Sequence, residues 1–165
     1  MTIQRRHVRI FISYAHSSCV LAKQLIESLT EYMKPSKHFE YHFWHDVDLT
    51  AGEKWDERIK EELAACDCGV LLVSAAFLNS KYISETELPA IMDAGKPVFP
   101  VLLSKVNFEH HNLAGLKDYQ IFRFMDSGFS SPRSFGEMRG RRKVDFVDRF
   151  FVELEDRLIK FYDGK

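Results

Sequence analysis

Two carboxylates, Glu85 and Glu87, stand in the stretch SKYISETELPAI, residues 80–91, where a polar segment turns into an apolar helix. A carboxylate near a helix N-terminus keeps its charge, because the helix dipole favours it there by about 0.3–1 kcal/mol. Such a group either caps the helix or serves a site, by accepting hydrogen bonds from a ligand and holding positive charge that develops on it. Ser84-Glu85-Thr86-Glu87 matches the S-x-x-E capping box, with Ser84 as N-cap and Glu87 at the third helical position. Pro89 would then fall at the fifth position and remove an intrahelical bond, whereas proline prefers the first. The two roles are compatible, and both stay open at this level.

Other side chains with chemical potential are scattered. Trp44 and Tyr82 offer flat surfaces for an aromatic base, although either would also suit a core. Trp55 keeps helical phase with Ile59 and Leu63 and is expected in the core. Cys66-Asp67-Cys68 raises the question of a metal, but no second Cys or His pair stands at ligand spacing, so small buried thiols are expected and no metal. Three cysteines form no disulfide framework and fit a reducing compartment. Arg139, Arg141, Arg142 and Lys143 are the one basic run. It is short, lacks interleaved aromatics and precedes a helix, which makes nucleic acid an unfavoured partner.

Composition bounds the rest. The chain has 165 residues with 45% hydrophobic and 28% charged, the profile of one globular domain with one core. A net charge of −1 selects neither nucleic acid nor an anionic membrane. The apolar runs fall short of the roughly 20 residues of a membrane helix. The segment Met1 to Ile12 is too charged for a signal peptide, so a cytoplasmic protein without membrane attachment is expected.

The elements that must position these residues alternate. Residues 8–13, 39–44, 69–73 and 98–103 read as strands, and Tyr119 to Phe124 as a fifth. Between them, Leu21, Leu25 and Leu29 with Ala22, Ile26 and Met33 mark a helix that starts after Ser17 or Ser18 and is stopped by Pro35. Trp55, Ile59 and Leu63 mark a second helix. Leu88, Ile91 and Met92 mark a third, ended by Gly95. Residues 125–142 read as a loop. A last helix spans about Val144 to Tyr162, with Val147, Phe151, Leu154, Leu158 and Phe161 on one face. Such alternation predicts a parallel sheet with helices on both faces. Ligands of such sheets bind at the carboxyl ends of the strands, near a topological switch. Three loops would gather there: residues 14–18, 45–52 and 74–84.

Four stretches in this order, RIFISYAH (9–16), FWHDVDLTAG (43–52), VLLVSAAFLNSKYISETELPAI (70–91) and PVFPVLLS (97–104), resemble successive motifs of the bacterial Toll/interleukin-1 receptor (TIR) domain. LKDYQIFRF (116–124) fits the series. The resemblance implies an α/β, flavodoxin-like three-layer sandwich with a central five-stranded parallel sheet. One TIR domain would fill residues 1–165, its core spanning about 7–162. It further implies an NAD+ glycohydrolase or cyclase, with linear and cyclic products both open. Self-assembly with other TIR domains, as a homo-oligomer or filament, would switch it on, in antiphage defence and under a sensor domain or protein. The alternative is a non-catalytic scaffold acting through TIR–TIR contacts. A third use of such a fold is transfer at another N-glycoside, as in nucleoside deoxyribosyl transferases.

By the same resemblance the catalytic glutamate is Glu87, followed by Leu88, with Glu85 as the fallback. Tyr14, Ala15 and His16 would contact the dinucleotide, beside Trp44, Asp46 and Tyr82. The assembly loop would comprise Asp46, Val47, Asp48, Leu49 and Gly52. NAD+ is then a substrate, and neither cofactor nor metal is implied. The chemistry is consistent with a lone carboxylate. Nicotinamide departs as a neutral molecule from a cationic glycoside and needs no proton, so the usual pair of acids reduces to one. The chain departs from the family pattern at Val47, where Arg is frequent. It departs again at Ser17, Ser18 and Cys19, where many members carry an acid, and at Ile83, where many carry Trp.

Overall fold

The structure is a computed structural model that describes residues 4–45, 61–80, 88–93, 95–116 and 119–164. Strand β1, Arg6–Ser13, is followed by a 3-10 turn at His16–Ser18 and helix α1, Cys19–Met33. Strand β2 is Phe39–His45, residues 61–65 are helical (α2), and β3 is Cys68–Val73. Two short helices follow, α3 at Ala75–Asn79 and α4 at Leu88–Asp93. Strand β4, Val98–Leu102, leads through a long connection to α5, Arg141–Asp163.

The four strands are parallel in the order β2-β1-β3-β4. Central position explains their composition. All six residues of β3 are buried, as a strand covered on both faces requires. In β1 the alternation divides the apolar residues between two cores. Val8, Ile10 and Ile12 join Ala22, Leu25, Leu29 and Met33 of α1 and Phe146, Val147, Phe150, Leu154 and Leu158 of α5. Phe11 points the other way, into a cluster with Leu63 of α2, Phe77 of α3, and Leu88 and Ile91 of α4. Three layers result, with α1 and α5 on one face and α2, α3 and α4 on the other. Each buried Leu or Phe contributes about 1.5–3 kcal/mol.

The helices deviate from expectation where the backbone supplies what periodicity does not show. Helix α5 begins at Arg141, three residues before Val144. Gly140 at its N-cap takes φ 59°, ψ −131°, which favours glycine, and its carbonyl accepts from the Lys143 amide at 3.1 Å. The buried face of α5 also contains Phe146 and Phe150, while Phe151 and Phe161 are only half-buried. Glu155 on that face is 7% exposed and accepts from the Ser36 hydroxyl. The same hydroxyl oxygen accepts from the amides of His38 and Phe39 at 3.3 Å each, so one acid pins the turn after α1. Within residues 125–142, Phe135–Glu137 forms a 3-10 turn closed by a Ser134–Glu137 capping box. Gly95, at φ 68°, follows α4 as expected.

The stretch Tyr119 to Phe124 contributes one parallel bridge, Val101↔Phe122, rather than a full strand. Phe122 donates to the Pro100 carbonyl at 2.8 Å and accepts from the Leu102 amide at 2.9 Å. In a parallel ladder the next rung back would need an amide hydrogen on Pro100, which has none. Proline at the edge-facing position of β4 therefore shortens the fifth strand to its end. Phe124 then turns away to pair antiparallel with Arg133.

Candidate functional site

In strand order β2-β1-β3-β4 the chain leaves β1 in one direction and later returns to its other side, so the switch lies between the carboxyl ends of β1 and β3. There β1 ends in Ser13, 2% exposed, whose hydroxyl has no hydrogen-bond partner among the described residues. Tyr14 and Ala15 follow, buried at 3% and 6%, and then His16, which is exposed. The Ala15 carbonyl accepts from the Ser18 amide at 2.9 Å and closes the turn that aims His16 outward. Of the three residues expected to contact a dinucleotide, only His16 thus presents its side chain at the surface. Tyr14 and Ala15 belong to the two cores.

The first and third of the expected loops meet. Ser18 Oγ lies 3.4 Å from Ser74 Oγ, at the end of β3. The third loop is not a loop throughout, because residues 75–79 form α3. Ser74 is its N-cap and accepts from the Phe77 amide at 3.0 Å. The sequence signal was a serine directly after an apolar run and before Ala-Ala-Phe, but five residues are too few for a period to show. Beside α3 a cleft of about 460 Å³ is lined by Ala75, Ala76, Leu78, Asn79, His111 and Asn112. It offers polar groups at the carboxyl side of the sheet.

Trp44 stacks on Phe11, with ring centroids 5.0 Å apart and planes 20° from parallel. One face of its indole is therefore used within the fold, and the residue packs against the second core. Glu85, Glu87, Tyr82 and Ile83 lie outside the described residues, as do Ser84 with its capping box, Asp46, Val47, Asp48, Leu49, Gly52 and Trp55. Leu88, the residue after Glu87, is 2% exposed and shares the core cluster of Ala15 and Phe77.

Cys66 and Cys68 are buried, and burial pushes the thiol of Cys66 up to about 11 and raises that of Cys68 as well. Both are neutral thiols near pH 7, poor nucleophiles and poor metal ligands. In the basic run, Arg142 pairs with Asp126 at 3.4 Å and lies over the Phe129 ring, and Lys143 lies over that of Phe135. Two of its four cations are engaged within the fold.

A parallel α/β sheet with helices on both faces and loops converging at a switch point defines the class: a flavodoxin-like domain. Residues 10–138 match the TIR domain family, and the chain belongs to it. In Sinorhizobium fredii (strain NBRC 101917 / NGR234), the relative called Uncharacterized protein y4lF is 31% identical over 105 residues, 61% of this chain and 32% of that protein. The match thus spans about a third of that relative's length. Among the described residues no helix is long and apolar enough to cross a membrane.

Proposed function

We propose that this TIR domain is an NAD+ glycohydrolase or cyclase that cleaves the nicotinamide–ribose bond, with Glu87 as its catalytic residue. The single observation that carries the reading is the placement of Leu88. The residue that follows Glu87 is anchored in the core cluster that also holds Ala15, from the loop after β1. The same cluster takes in Val73 at the end of β3 and Phe77 of α3, which supports a role at the switch point for the glutamate that precedes Leu88. Ionised, Glu87 accepts hydrogen bonds from the ribose hydroxyls and offsets the positive charge that grows on the sugar as neutral nicotinamide departs. His16, exposed in the turn after β1, offers a donor to the diphosphate. Assembly with other copies through the 45–52 loop completes the pocket and switches the enzyme on, as an effector in bacterial antiphage defence.

The test is to incubate concentrated and surface-tethered protein with NAD+ and resolve the products, beside Glu87→Ala and Glu85→Ala. Nicotinamide release should fall on the order of 10²–10³-fold in Glu87→Ala with the fold retained. Loss in Glu85→Ala alone would move the role to Glu85. No release from the wild-type chain even when tethered would leave Glu87 as a helix cap and the domain as a scaffold.

A further inference from the structure

His7, Glu40 and His42 are separated in sequence but meet on the paired strands β1 and β2. The register sets His7 opposite Glu40 and Arg9 opposite His42. Residues two apart on a strand share a face, so His7, Glu40 and His42 project from the same side of the sheet. Their side chains converge there. His7 Nδ1 is 2.9 Å from His42 Nε2, and the rings stack with centroids 5.1 Å apart and planes at 11°. Glu40 Oε2 is 3.9 Å from His7 Nε2. One donor atom from each residue lies within 4.8 Å of the other two.

We propose that these three residues form a binding site for a divalent first-row transition cation of the zinc type. Two imidazole nitrogens and one carboxylate oxygen are ligands that such ions accept at about 2.0–2.2 Å, with a fourth position left to water. Tetrahedral binding at those distances spaces neighbouring donor atoms by about 3.3 Å. The histidine nitrogens, 2.9 Å apart, need open by only about half an ångström to reach that spacing, and the carboxylate closes on them from within 4.8 Å by turning about its own side-chain bonds. Two imidazole nitrogens in contact must otherwise share one proton, and the cation takes its place.

The neighbouring cations do not block the site. Arg5 reaches Glu40 only at 4.0 Å, while its other guanidinium nitrogen holds the carbonyls of Lys34, Ser36 and Phe39 at 3.0, 2.9 and 3.4 Å. Arg9 is drawn off to Glu62 at 3.5 Å. The ligands stand on hydrogen-bonded strands, which gives the preorganisation a metal site needs. His7 and Glu40 lie at the entering ends of β1 and β2 and His42 at the middle of β2, away from the carboxyl end of β1. The bound ion thus staples the edge strand β2 to the centre of the sheet, independently of any NAD+ chemistry.

The experiment uses the full chain after chelator treatment. Zinc chloride is titrated by calorimetry, and cobalt(II) by visible absorption, beside His7→Ala, Glu40→Gln, His42→Ala and a His110→Ala/His111→Ala control. All these positions are on the surface or partly so, and circular dichroism checks the fold. The expected result is one zinc per chain, a tetrahedral cobalt spectrum and a zinc-dependent rise in Tm. Removing a direct ligand should cost at least what removing an outer-shell partner does, so each of the three variants should weaken binding by about tenfold or more. The control should bind as wild type. No uptake at roughly 100 µM zinc, or an affinity that survives the loss of either histidine, would overturn the assignment.

Discussion

The ammonium of Lys96 donates to the carbonyls of Leu63 and Ala64 at 2.8 Å each, and to that of Cys66. These are the last carbonyls of α2 and the turn beyond it, where no intrahelical donor remains and the dipole is negative. One side chain thus caps a helix from a residue thirty positions later in sequence, just before β4. Lys96→Met keeps the aliphatic stem and removes the donors, so it should cost about 1–2 kcal/mol, read as a lower urea midpoint at constant slope. An unchanged midpoint would show that water replaces the ammonium without loss. Nothing in the sequence marks Lys96, because its partners are backbone atoms placed by the fold. The same holds for His7, Glu40 and His42, which no spacing rule relates until the register of β1 and β2 is known. Residue-scale signals were legible where chemistry is local. The Cys66 and Cys68 thiols, embedded in an apolar strand start, are buried as their surroundings suggested.

At the scale of elements, periodicity carried most of what was readable. Helix α1 keeps the phase of Ala22, Leu25, Leu29 and Met33 because each packs on the same face of the sheet. Where pairing or a turn decides, pattern falls short. Residues 119–124 are apolar enough for a strand, yet Pro100 on the neighbouring strand withholds the amide that a second rung would need. The 3-10 turn at Phe135–Glu137 depends on space. The Gly136 amide donates to the Leu103 carbonyl at 2.8 Å, just beyond β4. A Cβ at this position would stand 2.9 Å from Leu21 Cδ2 and 3.1 Å from that same carbonyl oxygen. The leucine tip can move, but the backbone oxygen is held by its own hydrogen bond. Gly136→Ala should therefore destabilise the protein by about 1–3 kcal/mol, seen as a drop in Tm, although the backbone there is not left-handed. A Tm equal to wild type would mean that the turn shifts freely against β4.

For the whole molecule, a parallel sheet buried on both faces forces polar atoms of apolar-looking strands into the interior, and this makes the fold sensitive to alkali. Burial pushes Cys66 from 9.0 up to about 11 and raises Cys68 and Tyr41 as well, while the Asp148 hydrogen bond, with burial, lifts Tyr32 from 10.0 to about 12. In the unfolded chain these groups ionise at their ordinary values, so between the two values the native state holds more protons than the unfolded one. The stabilisation is complete below about pH 9, where both states are protonated, and is lost as pH rises through the folded-state values. Urea midpoints should therefore be level from neutrality to about pH 9 and fall steadily above it. Cys66→Ala removes one of the contributing thiols and should make that fall shallower, whatever small loss the missing sulfur causes at neutral pH. A stability curve that stays flat to about pH 11, or one whose slope ignores Cys66→Ala, would mean that Cys66, Cys68 and Tyr41 reach water in the native state and that the two-sided burial of β3 and its flanks is looser than the packing implies.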